Sequence, residues 1–202
     1  MLNFVKDLGC RSAEYSISPL PEQEKIRILN TIHQIIGEVS QSALVPPENE
    51  ALLKNALADA SPTLSKIGAE LSEKLNSKYS MILISRTWID HLDLDSRAAI
   101  LFALSMSMGS PTPTDQVDRK VVWDIRALGS KMRAGHVPTF SEHSFEARLH
   151  TDTQYYQSPE RFMMLYSNQP AKCGGGISFS RDISCIKQAL SKTDKGRWAL
   201  EI

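Results

Sequence analysis

A histidine and an aspartate stand two positions apart in the stretch RLHTDTQYYQ, as His150 and Asp152. Residues i and i+2 of a β-strand point to the same face, so a strand here would present an imidazole beside a carboxylate. One neutral nitrogen and one carboxylate oxygen suit a divalent metal such as Fe(II), which non-haem oxygenases hold with two histidines and one carboxylate. The spacing predicts a chelating pair, but H-x-D also arises often by chance, so the surrounding elements must decide.

Short strand-like segments surround the pair. Apolar, aromatic and β-branched residues fill them, and polar or glycine-rich breaks separate them. We predict strands at 79–85, 120–128, 147–152, 161–168, 175–182 and 196–202, the first of them buried on both faces. The stretch 129–147 mixes Gly, Pro, Ser and His without a period and predicts a loop.

Most of the remaining sequence has helical periodicity. Apolar residues recur at spacings of three and four, and prolines or glycines mark the ends. We predict helices at about 21–39, 48–58, 62–75, 92–109 and 183–194. In the fourth helix, Asp93 or Asp95 is the expected N-cap and Gly109 the C-terminal stop.

The composition is that of a globular protein of one ordinary domain, with 202 residues, 42% hydrophobic and 23% charged. Lys plus Arg and Asp plus Glu number 23 each, and this balance argues against nucleic acid and anionic membranes as partners. No apolar run is long enough for a membrane span, and the start MLNFVKDLGCRSAEYS lacks a signal-peptide core, so we expect a cytoplasmic location. Three cysteines without a C-x-x-C pair predict reduced thiols and no structural zinc site.

A family resemblance appears in the order of these pieces. HTD is followed by aromatic residues, an apolar strand and a Gly-rich turn, and KYSMILISRTWIDHLDLDSRAAILFALSMSMGSPTPTDQ and KVVWDI precede it. The stretch from about 65 to 190 resembles the taurine dioxygenase/clavaminate synthase-like family of Fe(II)- and 2-oxoglutarate-dependent oxygenases. In that family HTD or HTE precedes a Tyr- or Phe-containing segment, a strand and GG-[ED]-T.

The resemblance implies an α+β fold, with N-terminal helices packed on a double-stranded β-helix, or jelly roll. Residues 1–64 would form a helical region, and 65–202 would be the N-terminal part of the jelly-roll domain, apparently truncated. It also implies a dioxygenase that uses molecular oxygen and 2-oxoglutarate to hydroxylate a small polar molecule such as an amino acid, amine or sulfonate.

The resemblance assigns roles to individual residues. His150 and Asp152 become the first two iron ligands, and Asp152, where halogenating relatives carry Gly or Ala, implies hydroxylation or another oxidation. Ile177 stands where the family often has a Thr that assists 2-oxoglutarate binding, and Ser178 is the nearby hydroxyl. Tyr155 and Tyr156, with FSEHSFEA (140–147), would approach the substrate, although aromatic pairs after a strand also pack cores.

The chain departs from the family pattern after Asp152. The family's third ligand is a downstream His, followed by an Arg that grips 2-oxoglutarate, but no histidine follows Asp152 here. Arg161, Arg181 and Arg197 come later, without a preceding distal His. Two alternatives follow: a non-catalytic, degenerate dioxygenase-like domain whose open sheet pairs with another chain or a second copy, or a separate polypeptide that donates the second His.

Overall fold

The computed structural model describes residues 11–40, 44–113, 119–126, 142, 150–152, 157–169, 180 and 182–201. Its strands are β1 (Ser12–Tyr15) and β2 (Met81–Ile84). Its α-helices are α1 (Glu22–Ile36), α2 (Glu50–Ala60), α3 (Pro62–Ser77), α4 (Leu94–Met108), α5 (Ile183–Leu190) and α6 (Asp194–Leu200). A short 3₁₀ turn, Arg86–Trp88, lies between β2 and α4.

Local sequence signals explain where the helices begin and end. Asn49, Ser61 and Asp93 each accept a hydrogen bond from a backbone N–H in the first turn of α2, α3 and α4, respectively. Helix α1 ends at Gly37, whose φ of 96° is the left-handed conformation that glycine adopts without strain. The first four predicted helices are therefore confirmed, and Asp93 rather than Asp95 is the cap of α4.

Helix α4 lies at the centre of the core, because its buried residues occupy more than one face. Helices α1, α2 and α3 all contact it. The principal contributors are Ile28 and Ile32 of α1, Leu53 and Leu57 of α2, Leu64, Ile67 and Leu71 of α3, and Ile100, Phe102 and Leu104 of α4. The N-terminal half of the chain therefore forms a helical body with its own apolar core.

The sheet joins distant parts of the sequence. Strands β1 and β2 pair in parallel, with Ser12 opposite Met81 and Tyr15 opposite Ile84, and helices α1 to α3 form the connection. The prediction of a strand at 79–85 is confirmed, but all four β2 residues are half-buried, so burial on both faces was wrong. Strand β1 was not predicted from the sequence.

The other predicted strands are irregular or helical in the structure, or lie mostly outside the described residues. The described residues of 120–128, 147–152 and 161–168 are irregular, and 196–200 belongs to helix α6. Most of 175–182 lies outside the described residues. Strand-type composition was not sufficient, because a strand needs a neighbour with free backbone groups, and none pairs with these segments in the described ranges. The predicted helix beginning at 183 is confirmed as α5.

The fold class is mixed α and β, as expected at that coarse level. Among the described residues the sheet has two parallel strands and no double-stranded β-helix. None of the helices in these ranges is both long enough and apolar enough to cross a membrane.

Candidate metal site

The side chains of His150 and Asp152 meet. The distance from His150 Nε2 to Asp152 Oδ1 is 3.4 Å, and the side chains are 47% and 57% exposed. Residues 150–152 are irregular with a turn at Asp152, so the two groups meet without the strand geometry that the sequence predicted. An imidazole and a carboxylate therefore stand side by side on an accessible surface.

This donor pair fits a divalent metal. Two ligands each about 2.1 Å from a metal and at right angles to one another lie roughly 3 Å apart, close to the observed separation. One nitrogen and one carboxylate oxygen suit Fe(II), Mn(II) or Zn(II). Two protein ligands alone hold a metal weakly, and no group of three or more His, Cys, Asp or Glu side chains occurs among the residues described.

The other predicted site residues cannot be compared with the pair. Tyr155 and Tyr156, expected at the substrate, and Ile177 and Ser178, expected at 2-oxoglutarate, lie outside the described residues. The same holds for 140–147 apart from Glu142. Their roles stay predictions.

His91, a histidine of the segment between β2 and α4, has another role. His91 Nε2 lies 2.8 Å from the ammonium of Lys25, which must be the donor in this hydrogen bond. Lys25 is 5% exposed and also pairs with Glu22 at 2.5 Å. A metal at His91 Nε2 would have to displace a buried ammonium, so His91 is a poor candidate for the third ligand.

A polar cluster on the helical body was not predicted from the sequence. We call Arg86, Asp90 and Arg97 the Asp90 cluster. Arg86 Nε donates to Asp90 Oδ2 at 2.9 Å, and Arg97 donates to the backbone oxygens of Asp90 at 2.5 Å and Leu92 at 2.8 Å. The i, i+4 spacing of Arg86 and Asp90 was a visible signal of an ion pair.

The Asp90 cluster binds a segment distant in sequence. The Tyr166 hydroxyl donates to Asp90 Oδ1 at 2.8 Å, and Arg86 Nη1 donates to the backbone oxygens of Ser167 at 2.6 Å and Asn168 at 3.2 Å. The Tyr166 hydrogen bond, followed by the charges of Arg86 and Arg97, lowers the pKa of Asp90 against the opposing effect of burial. Nothing in the local sequence of either segment indicates this contact.

Burial and the hydrogen bond to Asp90 raise the pKa of Tyr166. The phenol therefore remains a hydrogen-bond donor throughout the neutral pH range. Its ring also packs against the core of the helical body. The contact thus joins a charged acceptor to a neutral, partly buried donor.

Comparison of the chain with protein family models, curated proteins and solved structures finds no match in any of the three.

Proposed function

We propose that the chain carries the His-x-Asp part of an Fe(II)- and 2-oxoglutarate-dependent dioxygenase site. The single observation that supports the proposal is the approach of His150 Nε2 to Asp152 Oδ1 at 3.4 Å, with both side chains accessible. The order of elements around HTD, which resembles the dioxygenase family, supplies the reaction class. The proposal includes the jelly roll as the fold of the complete site and the cytoplasm as its location.

In this proposal each residue has a limited task. His150 provides one neutral nitrogen, and Asp152 provides one anionic oxygen that also offsets part of the metal's charge. Bound Fe(II) would supply the centre at which oxygen and 2-oxoglutarate react, with a small polar molecule as the substrate to be hydroxylated. Since both side chains are about half exposed, small molecules would have access to a metal held there.

Metal binding by the chain itself tests the proposal. Mn(II) is the probe, since it prefers the same donors as Fe(II) and its electron paramagnetic resonance signal reports binding. We expect one weak site, with the affinity lowered by roughly tenfold or more in His150→Ala and in Asp152→Asn. His33→Ala and Asp59→Asn, exposed helical residues of the same types, should bind as the wild type does. Equal affinity in wild type and His150→Ala would contradict the proposal.

A second candidate function is a non-catalytic domain that pairs with another chain or a second copy. Exposed apolar side chains favour it: Met163 is 68% exposed, Leu165 58% and Ile125 63%. They lie in segments of strand-type sequence that find no neighbouring strand within the described ranges. Sedimentation tests this function: a stable monomer that stays in solution with no partner contradicts it, and an oligomer that Met163→Lys dissociates supports pairing with a second copy.

A further inference from the structure

We propose that Lys25 and His91 form a proton-sensitive contact, the Lys25–His91 clasp: it holds α1 to the turn before α4 while the imidazole is neutral, and uptake of a proton by His91 opens it. The clasp belongs to the helical body and does not depend on the proposed metal site. It makes the attachment of α1 respond to acidification.

Lys25 occupies a position of α1 that faces the core. The buried residues of this helix are Lys25, Ile28 and Ile32, and their spacing of three and four is that of an apolar stripe. Lys25 is 5% exposed, whereas lysines are rarely buried unless the ammonium is paired. Because a buried charge is costly without partners, the packing of α1 depends on the groups that accept from this ammonium.

Two side chains accept from the ammonium among the described contacts. His91 Nε2 lies 2.8 Å from Lys25 Nζ, and a carboxylate oxygen of Glu22 lies 2.5 Å from the same atom. Glu22 belongs to the same helix as Lys25, so that contact does not attach α1 to anything else. The contact with His91 joins α1 to a segment 66 residues further along the chain.

His91 lies in a turn whose backbone is fixed. The Leu92 N–H donates to the backbone oxygen of Ile89 at 3.0 Å, and the Ile89 side chain is fully buried. The His91 side chain is exposed, so protons reach the imidazole without any unfolding. A hydrogen bond from Lys25 to this turn therefore fastens α1 to a firm part of the helical body.

The donor and acceptor capacities of the two groups make the contact sensitive to protons. An ammonium has three donors and no acceptor, so His91 Nε2 must supply the lone pair. The imidazole in this contact is therefore neutral, with its proton on Nδ1. If Nε2 gains a proton, the hydrogen bond is lost and two cations face one another. Histidine is the side chain that ordinarily changes charge between about pH 5 and 8.

The other charged groups of this region have contacts of their own. Asp90 pairs with Arg86, and Arg97 donates to the backbone oxygens on both sides of His91. Asp93 and Asp95 stand at the start of α4, where the Asp93 carboxylate is the N-cap. These contacts hold the turn in place, so protonation of His91 changes the link to α1 and not the turn itself.

Glu22 interacts with both members of the clasp. The hydrogen bond from Lys25 outweighs burial and, with the charges of Lys25 and His91, lowers the pKa of Glu22 below the ordinary 4.5. The carboxylate therefore stays ionised at about pH 5 and can pair with either cation when the clasp opens. Lys25 keeps a counter-ion, so acidification loosens α1 rather than unfolding it.

The tautomer of His91 is the first test. Long-range proton–nitrogen NMR correlations at about pH 8 should show the ring protonated at Nδ1, with the signals assigned by their loss in His91→Gln. Lys25→Met keeps the length of the side chain and removes the donor, so it should shift these signals, whereas His33→Gln should not. A ring protonated at Nε2 would overturn the clasp, because that nitrogen could not accept from Lys25.

A double-mutant cycle tests the sensitivity to protons. His91→Ala, Lys25→Met and the double variant are compared with the wild type by urea denaturation at about pH 8 and about pH 5. At the higher pH we expect a coupling of roughly tenfold in the unfolding equilibrium constant, as for one hydrogen bond to a charged group. The coupling should vanish or change sign at the lower pH. His33→Ala, an exposed histidine of the same helix, should show no coupling to Lys25→Met at either pH.

The variant His91→Gln separates the acceptor from the proton switch. The glutamine oxygen can accept from Lys25 at every pH, so Lys25→Met should have the same effect on stability at both pH values in this background. Equal coupling of Lys25 and His91 at both pH values would overturn the proton sensitivity, and no coupling at the higher pH would overturn the clasp itself. No readout uses a metal, so failure of wild-type Mn(II) binding would refute the proposed function separately.

Discussion

The Glu24 carboxylate of α1 lies 2.8 Å from the hydroxyl of Thr63, in the first turn of α3. The same carboxylate accepts from the Thr63 backbone N–H at 3.3 Å and from the buried hydroxyl of Ser61. One turn further along α1, Arg27 donates to the last carbonyl of α2, Ala60 O, at 2.8 Å. An anion thus stands at the beginning of α3 and a cation at the end of α2, as the helix dipoles favour.

Replacing Glu24 should therefore loosen the junction between α2 and α3. We expect Glu24→Ala to lower the free energy of unfolding by on the order of 1–2 kcal/mol, because Ser61 and Thr63 lose a charged acceptor. Urea denaturation measures the loss, and Glu73→Ala on the exposed side of α3 is the control. Burial raises the pKa of Glu24, but the hydrogen bonds from Ser61 and Thr63 together outweigh it and lower the pKa. The contribution should accordingly be complete at neutral pH and begin to fade as the pH falls below the ordinary value of 4.5.

A second prediction concerns the contact between α3 and α4. A Cβ at Gly68 would overlap the Ser107 hydroxyl and lie 2.8 Å from Ser107 Cβ and 3.2 Å from its backbone carbonyl carbon. Gly68→Ala should therefore destabilise the protein by about 1–3 kcal/mol, as overpacking does.

The cause can be checked by a compensating change. Ser107→Gly removes the obstructing Cβ, so Gly68→Ala should cost less in that background than in the wild type, and thermal melts of the four combinations measure the coupling. Gly109→Ala, where an added Cβ meets nothing within 4 Å, is the matched control. Equal costs in both backgrounds would show that Ser107 is not the obstacle.

A third prediction is the acid titration of Asp182. Hydrogen bonds from Ser80 and then Ser184 lower its pKa to about 2 from the ordinary 3.8. Its stabilising contribution to the start of α5 is complete above the ordinary value and lost as the pH falls toward about 2. The carboxyl carbon resonance should follow this midpoint, and Ser80→Ala should move the midpoint upward. A midpoint near 3.8 in the wild type would contradict the assigned contacts.

A fourth prediction concerns Tyr15 of β1. The hydrogen bond to Glu70, with burial and the charge of Glu70 adding to it, raises the pKa of Tyr15 to about 12. Its contribution to stability is complete below the ordinary value of 10.0 and lost as the pH rises through about 12. The near-ultraviolet phenolate absorbance, taken as the difference from Tyr15→Phe, measures the titration. Glu70→Gln should lower the midpoint, whereas Glu14→Gln should leave it in place.

Helices with complete local signals were predictable from the sequence. The caps at Asn49, Ser61 and Asp93 precede apolar residues at helical spacing, so both the start and the buried face can be read locally. Helix α6 had such a signal as well, since the Thr193 hydroxyl accepts from the backbone N–H of Gly196, but its short apolar run was interpreted as a strand. Length alone does not separate strand from helix in a run of that size.

Elements that depend on distant partners were not predictable. Strand β1 is four residues long and forms by pairing with β2. The Asp90 cluster likewise contacts Tyr166, which lies far away in the sequence. Trp123 and Ile125 alternate as a strand would, yet lie in an irregular segment, because no neighbouring strand accepts that segment among the described residues. The His-x-Asp pair was predictable because its two members are nearly adjacent in sequence, so a local conformation is enough to bring them together.

The parallel pairing of β1 with β2 also has a consequence for the order of folding. Contact between Ser12 and Met81 closes a loop that contains α1, α2 and α3. The chain loses conformational entropy when this loop closes, before the hydrogen bonds between the two strands can stabilise the structure. The helices can first assemble through contacts that are closer in sequence, those of α1 with α2, of α2 with α3 and of α3 with α4, and these contacts then bring the two strand segments within reach. Substitutions in β1 should therefore accelerate unfolding far more than they slow folding.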